Sequence, residues 1–214
     1  MIVLLSLQPR RIRVNHVNDY WKRLVHPNSI NIFQKIIDEH PVIISISGER
    51  KSKHGDFRSF NSKRKDRISV NGSLSQDAFM ITLIHELAHK ITWDKFKHKV
   101  QPHGKEWKLN MFLLFKSFIN QNLFSEEVER AIKIYQHDWK AVGSRMPQLY
   151  LALNPHLESL KLLKDLDIDT RFSTENGRQF VKKKQLRSYC LCICCKTGDL
   201  YKIHQLATVV ENIE

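Results

Sequence analysis

The stretch from Ile81 to Lys90 reads ITLIHELAHK and places His85 and His89 four residues apart, with Glu86 between them. On a helix, positions i and i+4 project to the same side, so the two imidazoles can offer nitrogens to one ion. Glu86 lies one step round, too far to complete that face, yet near enough to take a proton from a water the ion activates. This is the chemical content of H-E-x-x-H: two neutral ligands leave zinc strongly Lewis-acidic, and the carboxylate is the general base. Short patterns recur by chance, and the chain holds eleven histidines. The context argues against chance. Phe79, Met80, Leu83, Ile84, Leu87, Ala88 and Ile91 repeat at three and four, and both histidines lie off that apolar stripe.

Catalytic zinc needs a third protein ligand and an open fourth position. Downstream stand His98, His103, Glu106 and the acids of SEEVERAIKIYQ. A metzincin carries a histidine six residues after the second ligand, but that position here is Lys95. His103 fits best: it follows Pro102 and precedes Gly104 at the mouth of the next helix, where a loop can turn back over the ion. His98 reads as a solvated loop residue, and Glu106 as a first-turn acid complementing the helix dipole. Nothing in the sequence aims the later acids at the metal.

Several elements must hold these residues in place. VNDYWKRLVHPNSINIFQKIIDEHP predicts one or two amphipathic helices ending before Pro41, and PVIISIS a buried strand. The polar GERKSKHGDFRSFNSKRKDR predicts a turn or hairpin, and RISVNG a short strand stopped at Asn71-Gly72. Ser73 or Ser75 then caps the H-E-x-x-H helix, which runs from about Gln76 into the low nineties with Asp77 in its first turn. Trp107, Met111, Leu114, Phe115 and Phe118 mark the next helix, and SEEVERAIKIYQ another with a serine cap. After Thr170 the pattern alternates, with Thr197-Gly198 turning between two strands.

RISVNG, FMITLIHELAHK and HGKEW in this order resemble the SprT-like family. The resemblance spans Pro41 to Phe118 and, more loosely, the whole chain. It implies a small zincin-like metalloprotease domain with His85, His89 and His103 as ligands of one catalytic zinc and Glu86 as catalytic base. It also implies that the strand Ile68 to Asn71 borders the cleft and pairs with an extended substrate. Spartan-type members cleave proteins crosslinked to DNA, which makes a protein substrate and DNA, single-stranded or damaged, the implied partners. One departure stands out. Several members end in a zinc ribbon with two separated Cys-x-x-Cys pairs, whereas Cys190, Cys192, Cys194 and Cys195 all fall within CLCICC. In a strand, Cys190, Cys192 and Cys194 share one face, too extended to wrap a tetrahedral ion alone. His204 could approach from the partner strand. The expectation is nonetheless small strand hydrophobes in a degenerate ribbon-like β-hairpin, without a second zinc.

The balance of 35 Lys+Arg against 22 Asp+Glu gives a net charge of +13 and a pI near 9.7, a field that attracts polyanions. Two stretches concentrate it. Lys51, Lys53, Arg64, Lys65 and Arg67 precede the H-E-x-x-H helix, and Lys182, Lys183 and Lys184 lie in RQFVKKKQLR. Phe57, Phe60 and Phe180 are interleaved, as stacking on a single strand requires. No apolar run reaches bilayer length, and in MIVLLSLQPRRIR the charges follow the apolar stretch rather than precede it. The expectation is a cytoplasmic protein without membrane contact. The organisation expected is α+β: a metalloprotease domain over residues 1–125 with a short antiparallel sheet, a helical or irregular linker over 126–165, and a β-rich unit over 166–214. The reaction expected is zinc-dependent peptide-bond hydrolysis. Two rivals stand beside it: a nucleic-acid-binding regulatory protein with a structural or weakly active zinc, and a zinc hydrolase of another substrate. Glu86 argues against the first, since a structural site needs no base.

Overall fold

Strand phase and charge together decide the small sheet that carries the site. The computed structural model describes residues 19–50, 53–60, 64–137, 139, 147–155, 161–174 and 176–211. In it β1 (Ile43–Ser47), β2 (Gly55–Arg58) and β3 (Arg67–Asn71) form a sheet of order β1-β3-β2. β3 is central because Ile68 and Val70 are wholly buried, whereas the charged β2 suits an edge. β2 runs antiparallel to β3, with Gly55 opposite Val70, but β1 runs parallel to it, with Ile43 opposite Arg67. The sheet is therefore mixed rather than antiparallel: the chain passes from β1 to the far edge and returns through the middle.

Helix α2 (Gln76–Phe96) lies against this sheet. Ser75 is its N-cap, the hydroxyl accepting from the Ala78 amide at 3.4 Å. Asp77 does more than complement the dipole. Its carboxylate accepts from the Ser125 amide and hydroxyl at 3.0 and 2.7 Å, which ties down the start of α4 (Glu126–His137). The expected apolar stripe widens into nearly the whole circumference. Phe79, Met80, Leu83, Ile84 and Leu87 are buried, and so are Glu86 and Lys90. The sheet covers one side of α2 and α3 (Lys105–Lys116) another, which leaves little solvent face. α1 (Ile30–Glu39) adds Phe33, whose ring lies 4.7 Å from that of Phe118.

Lys90 is buried with its charge answered. Its ammonium donates to Asp66 at 2.8 Å and to Asp94 at 2.7 Å, and Asp94 meets the His40 ring at 2.9 Å. Asp66 also accepts from the Phe60 amide at 2.8 Å. One cation thus joins the end of α1, the entry to β3 and the middle of α2. α4 packs on α3, with the Tyr135 hydroxyl donating to the Lys108 carbonyl at 3.3 Å. α4 belongs to the first unit, and the chain divides after residue 141.

The second unit holds α5 (Pro147–Ala152) and the strands β4 (Arg171–Thr174), β5 (Gln179–Gln185), β6 (Tyr189–Cys194), β7 (Leu200–His204) and β8 (Val209–Glu211). A hairpin was expected; the strands form a five-stranded antiparallel sheet, order β7-β6-β5-β4-β8, because β8 returns to pair with β4. Leu163, Leu166, Phe172, Phe180, Cys190, Cys192 and Cys194 make its core. No helix among the described residues is long and apolar enough to cross a membrane.

Candidate metal centre and active site

His85 and His89 stand on consecutive turns of α2, and His103 reaches them from the segment before α3. His103 adopts φ +58, a left-handed conformation that a non-glycine residue holds only when its surroundings insist. The next residue must be small. A Cβ on Gly104 would sit 2.9 Å from the Gln101 carbonyl oxygen, so the tight return of the chain excludes any larger side chain. The result is a triangle of nitrogens. The Nε2 atoms of His85, His89 and His103 lie 3.3, 3.1 and 3.0 Å apart.

Ligand nitrogens at about 2.0–2.1 Å from a tetrahedral zinc stand about 3.3 Å from one another, close to the spacing observed. Three ring nitrogens turned to one point cannot satisfy one another by hydrogen bonding, whereas a cation at that point accepts all three lone pairs. The rings are also in the right protonation state. Burial, with the nearby His89 and His103, lowers the His85 pKa to about 3. Burial and His103 lower that of His89 to about 4, and burial lowers that of His103. All three are neutral at pH 7, as metal ligands must be. Trp107 of α3 is wholly buried beneath them, its ring centroid 4.7, 5.3 and 4.7 Å from those of His85, His89 and His103. The residues present fit a zinc ion. Among the described residues they are the one such group of potential ligands.

Glu86 faces β2 rather than solvent. A Cβ on Gly55 would lie 2.7 Å from its Oε1, so strand and carboxylate are in direct contact only because residue 55 has no side chain. Burial raises the Glu86 pKa to about 7, helped by the Asp56 carboxylate and opposed by the Phe57 backbone amide, Lys53 and Arg50. Asp56 differs. Burial raises its pKa, but Lys53 and Arg58, each at 2.6 Å, more than offset this and hold it below the usual range.

β2 also corrects the expectation for β3. Both sides of β3 are paired, so it cannot take a further strand. In an antiparallel pair, alternate residues turn their amide groups toward the partner. The His54 carbonyl accepts from the Asn71 amide, which sets Gly55 and Phe57 on the outward phase. Among the described residues the unpaired edge beside the histidines is therefore that of β2, a segment read from the sequence only as a turn or hairpin.

Residues 31–122 match the SprT-like family. The matched span contains α1 but for Ile30, α2, α3, the three-stranded sheet, all three histidines and Glu86. Neither a curated protein nor a solved structure matches the chain. α4 and the second unit lie outside the SprT-like span.

The other sequence candidates separate on inspection. His98 stays outside the nitrogen triangle and sets its ring against Trp93 at 4.4 Å. Glu106 occupies the first turn of α3. Arg64, Lys65 and Arg67 are exposed, Lys53 is engaged by Asp56, and Lys51 lies outside the described residues. In the second unit, Lys183 pairs with Asp169 and Lys184 is exposed. Lys182 is not a surface contact: it is 3 % exposed, and its ammonium donates to the carbonyls of Leu166 at 2.6 Å and Lys164 at 3.2 Å. Strand period two forces this, since Phe180 and Lys182 share the inward face. His204 stands opposite Tyr189, on the face away from Cys190, Cys192 and Cys194, so it does not approach them. Four parts of the site escaped the sequence reading: Gly55, Asp56, the Phe57 amide and Trp107. The glycine inside HGDF was the available signal, since a glycine in a strand often marks a close approach.

Proposed function

We propose that the chain is a zinc metallopeptidase of zincin type, acting on polypeptides that lie along the outer edge of β2. The observation that carries this reading is a buried carboxylate between that edge and three converging neutral imidazoles. His85, His89 and His103 hold the ion, which when bound supplies Lewis acidity. The outward Gly55 amide and the Gly55 and Phe57 carbonyls hold an extended chain by strand addition, while the Phe57 amide is engaged by Glu86. Glu86 takes the proton from the attacking water and returns it to the leaving amine. Its buried setting suits both tasks, because a carboxyl with a raised pKa exchanges protons readily near neutrality. The net charge of +13 and the exposed Arg64, Lys65 and Arg67 support substrates associated with DNA.

The test compares the wild-type chain, Glu86→Gln and His103→Ala on a DNA-crosslinked protein and on the same protein free, with and without single-stranded DNA. Wild type is expected to hold one zinc and to cleave, faster with DNA. Glu86→Gln keeps the zinc and loses at least about 10²-fold in rate. His103→Ala loses both. Cleavage that survives Glu86→Gln refutes the mechanism, and a rate indifferent to DNA removes the nucleic-acid link.

A further inference from the structure

A cavity of about 390 Å³ opens beside His89. Phe57 and Ser59, at and just past the end of β2, form one wall; Lys97, His98 and Gln101, from the turn between α2 and α3, form another. Among the described residues no carboxylate lines it. The Lys97 ammonium lies 5.5 Å from the centroid of the Trp93 ring, and no carboxylate among the described residues pairs with it. Asp94, one turn earlier, is already engaged by Lys90 and His40.

Two further features mark the wall of the cavity. Lys97 holds φ +53, a conformation that L side chains rarely adopt, at the point where α2 stops and the chain turns along the cavity. Trp107 also lines the cavity, and its indole nitrogen is buried without a hydrogen-bond partner among the described residues.

We infer that this cavity is the subsite for an acidic side chain, aspartate or glutamate, of the bound polypeptide, with Lys97 as its pairing cation. The inference rests on reading the cleft as a polypeptide site. An acidic peptide fits better than a phosphodiester strand, because the outward edge of β2 leads straight into the cavity. A peptide paired on that edge drops alternate side chains to one face, and one of them falls beside Lys97. A nucleic-acid strand has no row of amides and carbonyls to meet the edge, and Lys97 and His98 are a pairing site rather than a track.

The test is a binding measurement on the full-length, zinc-loaded Glu86→Gln chain. Labelled 11-residue neutral peptides, with a single Glu or Gln moved along the sequence, are titrated by fluorescence anisotropy at low salt. At one position Glu should bind about fivefold more tightly than Gln, as a half-exposed ion pair allows, and the advantage should shrink with added salt. Lys97→Gln should remove the preference and Lys97→Glu should invert it, with zinc content and circular dichroism unchanged in both. The inference is overturned if no position distinguishes Glu from Gln, if no peptide binds, or if the Lys97 variants keep the preference. It is also overturned if oligothymidylate displaces the Glu peptide and itself depends on Lys97. Wild-type cleavage of the neutral peptides, lost in Glu86→Gln, upholds peptidase activity even where no acidic preference exists. A Lys97-dependent preference without any cleavage sinks the peptidase reading alone.

Discussion

Gly55→Ala is the smallest change that tests how the base is held. The added Cβ would meet Glu86 Oε1 at 2.7 Å, Thr82 Cγ2 at 2.7 Å and Glu86 Cγ at 2.9 Å. Comfortable carbon contacts lie at about 3.5–4.0 Å, so strand or carboxylate must move by about half an ångström or more. Residue 55 does not occupy left-handed backbone, so the requirement is for space alone. Overpacking of this kind costs about 1–3 kcal/mol of stability. A base displaced by about 1 Å loses on the order of 10²-fold in rate, so the expected fall in kcat/KM is about tenfold to a hundredfold, or about 1.4–2.7 kcal/mol. The zinc should stay, because the three atoms nearest the new methyl group belong to Glu86 and Thr82 and none to a histidine. The assay pairs kcat/KM on a disordered protein substrate with zinc content and thermal unfolding. Thr82→Ser in the same chain removes one of the contacts and keeps the hydroxyl that donates to Ala78. It should recover part of the stability and little of the rate. Wild-type rate and Tm in Gly55→Ala would refute the close approach. Loss of zinc would refute the separation of base from metal.

Two other outcomes follow from buried charges. Burial raises the Asp94 pKa, but hydrogen bonds from Lys90 and His40 overcome this, so the carboxyl titrates below its ordinary 3.8 in the folded chain. A depressed carboxyl stabilises above the unfolded pKa, and the contribution disappears as pH falls through the folded one. Asp94→Asn should therefore lower the urea midpoint at pH 6 to 7, and the gap to wild type should close as pH falls below about 3.8; a constant gap would refute the assignment. Lys182→Ala should cost about 1–3 kcal/mol, because two inward carbonyls lose their donor. It should leave affinity for single-stranded DNA unchanged, and weaker DNA binding without loss of Tm would show that the ammonium faces outward.

The sequence went furthest where chemistry is local. H-E-x-x-H on a helix needs only the turn spacing, and Pro102-His103-Gly104 marked a constrained return of the chain. Strand phase alone placed Cys190, Cys192 and Cys194 on one face, and that face proved to be the core. Reading went astray where a charged residue obeyed its neighbours rather than its type. Lys182, read as a nucleic-acid contact, is inside because strand period puts it there, and two backbone carbonyls meet its ammonium.

The proposed metal ligands and base are thus nominated by the sequence: residue type and spacing along one helix, plus one loop, suffice to pick them out. What stands opposite the base is a property of the tertiary structure. That β3 is hemmed in on both sides, that β2 presents the free edge, and that Gly55 lets it touch Glu86 depend on pairing between segments far apart in the chain. A four-residue strand carrying two charges announces none of this by composition. Its place is decided by where Ile68 and Val70 must be buried, and the cleft takes its shape from that.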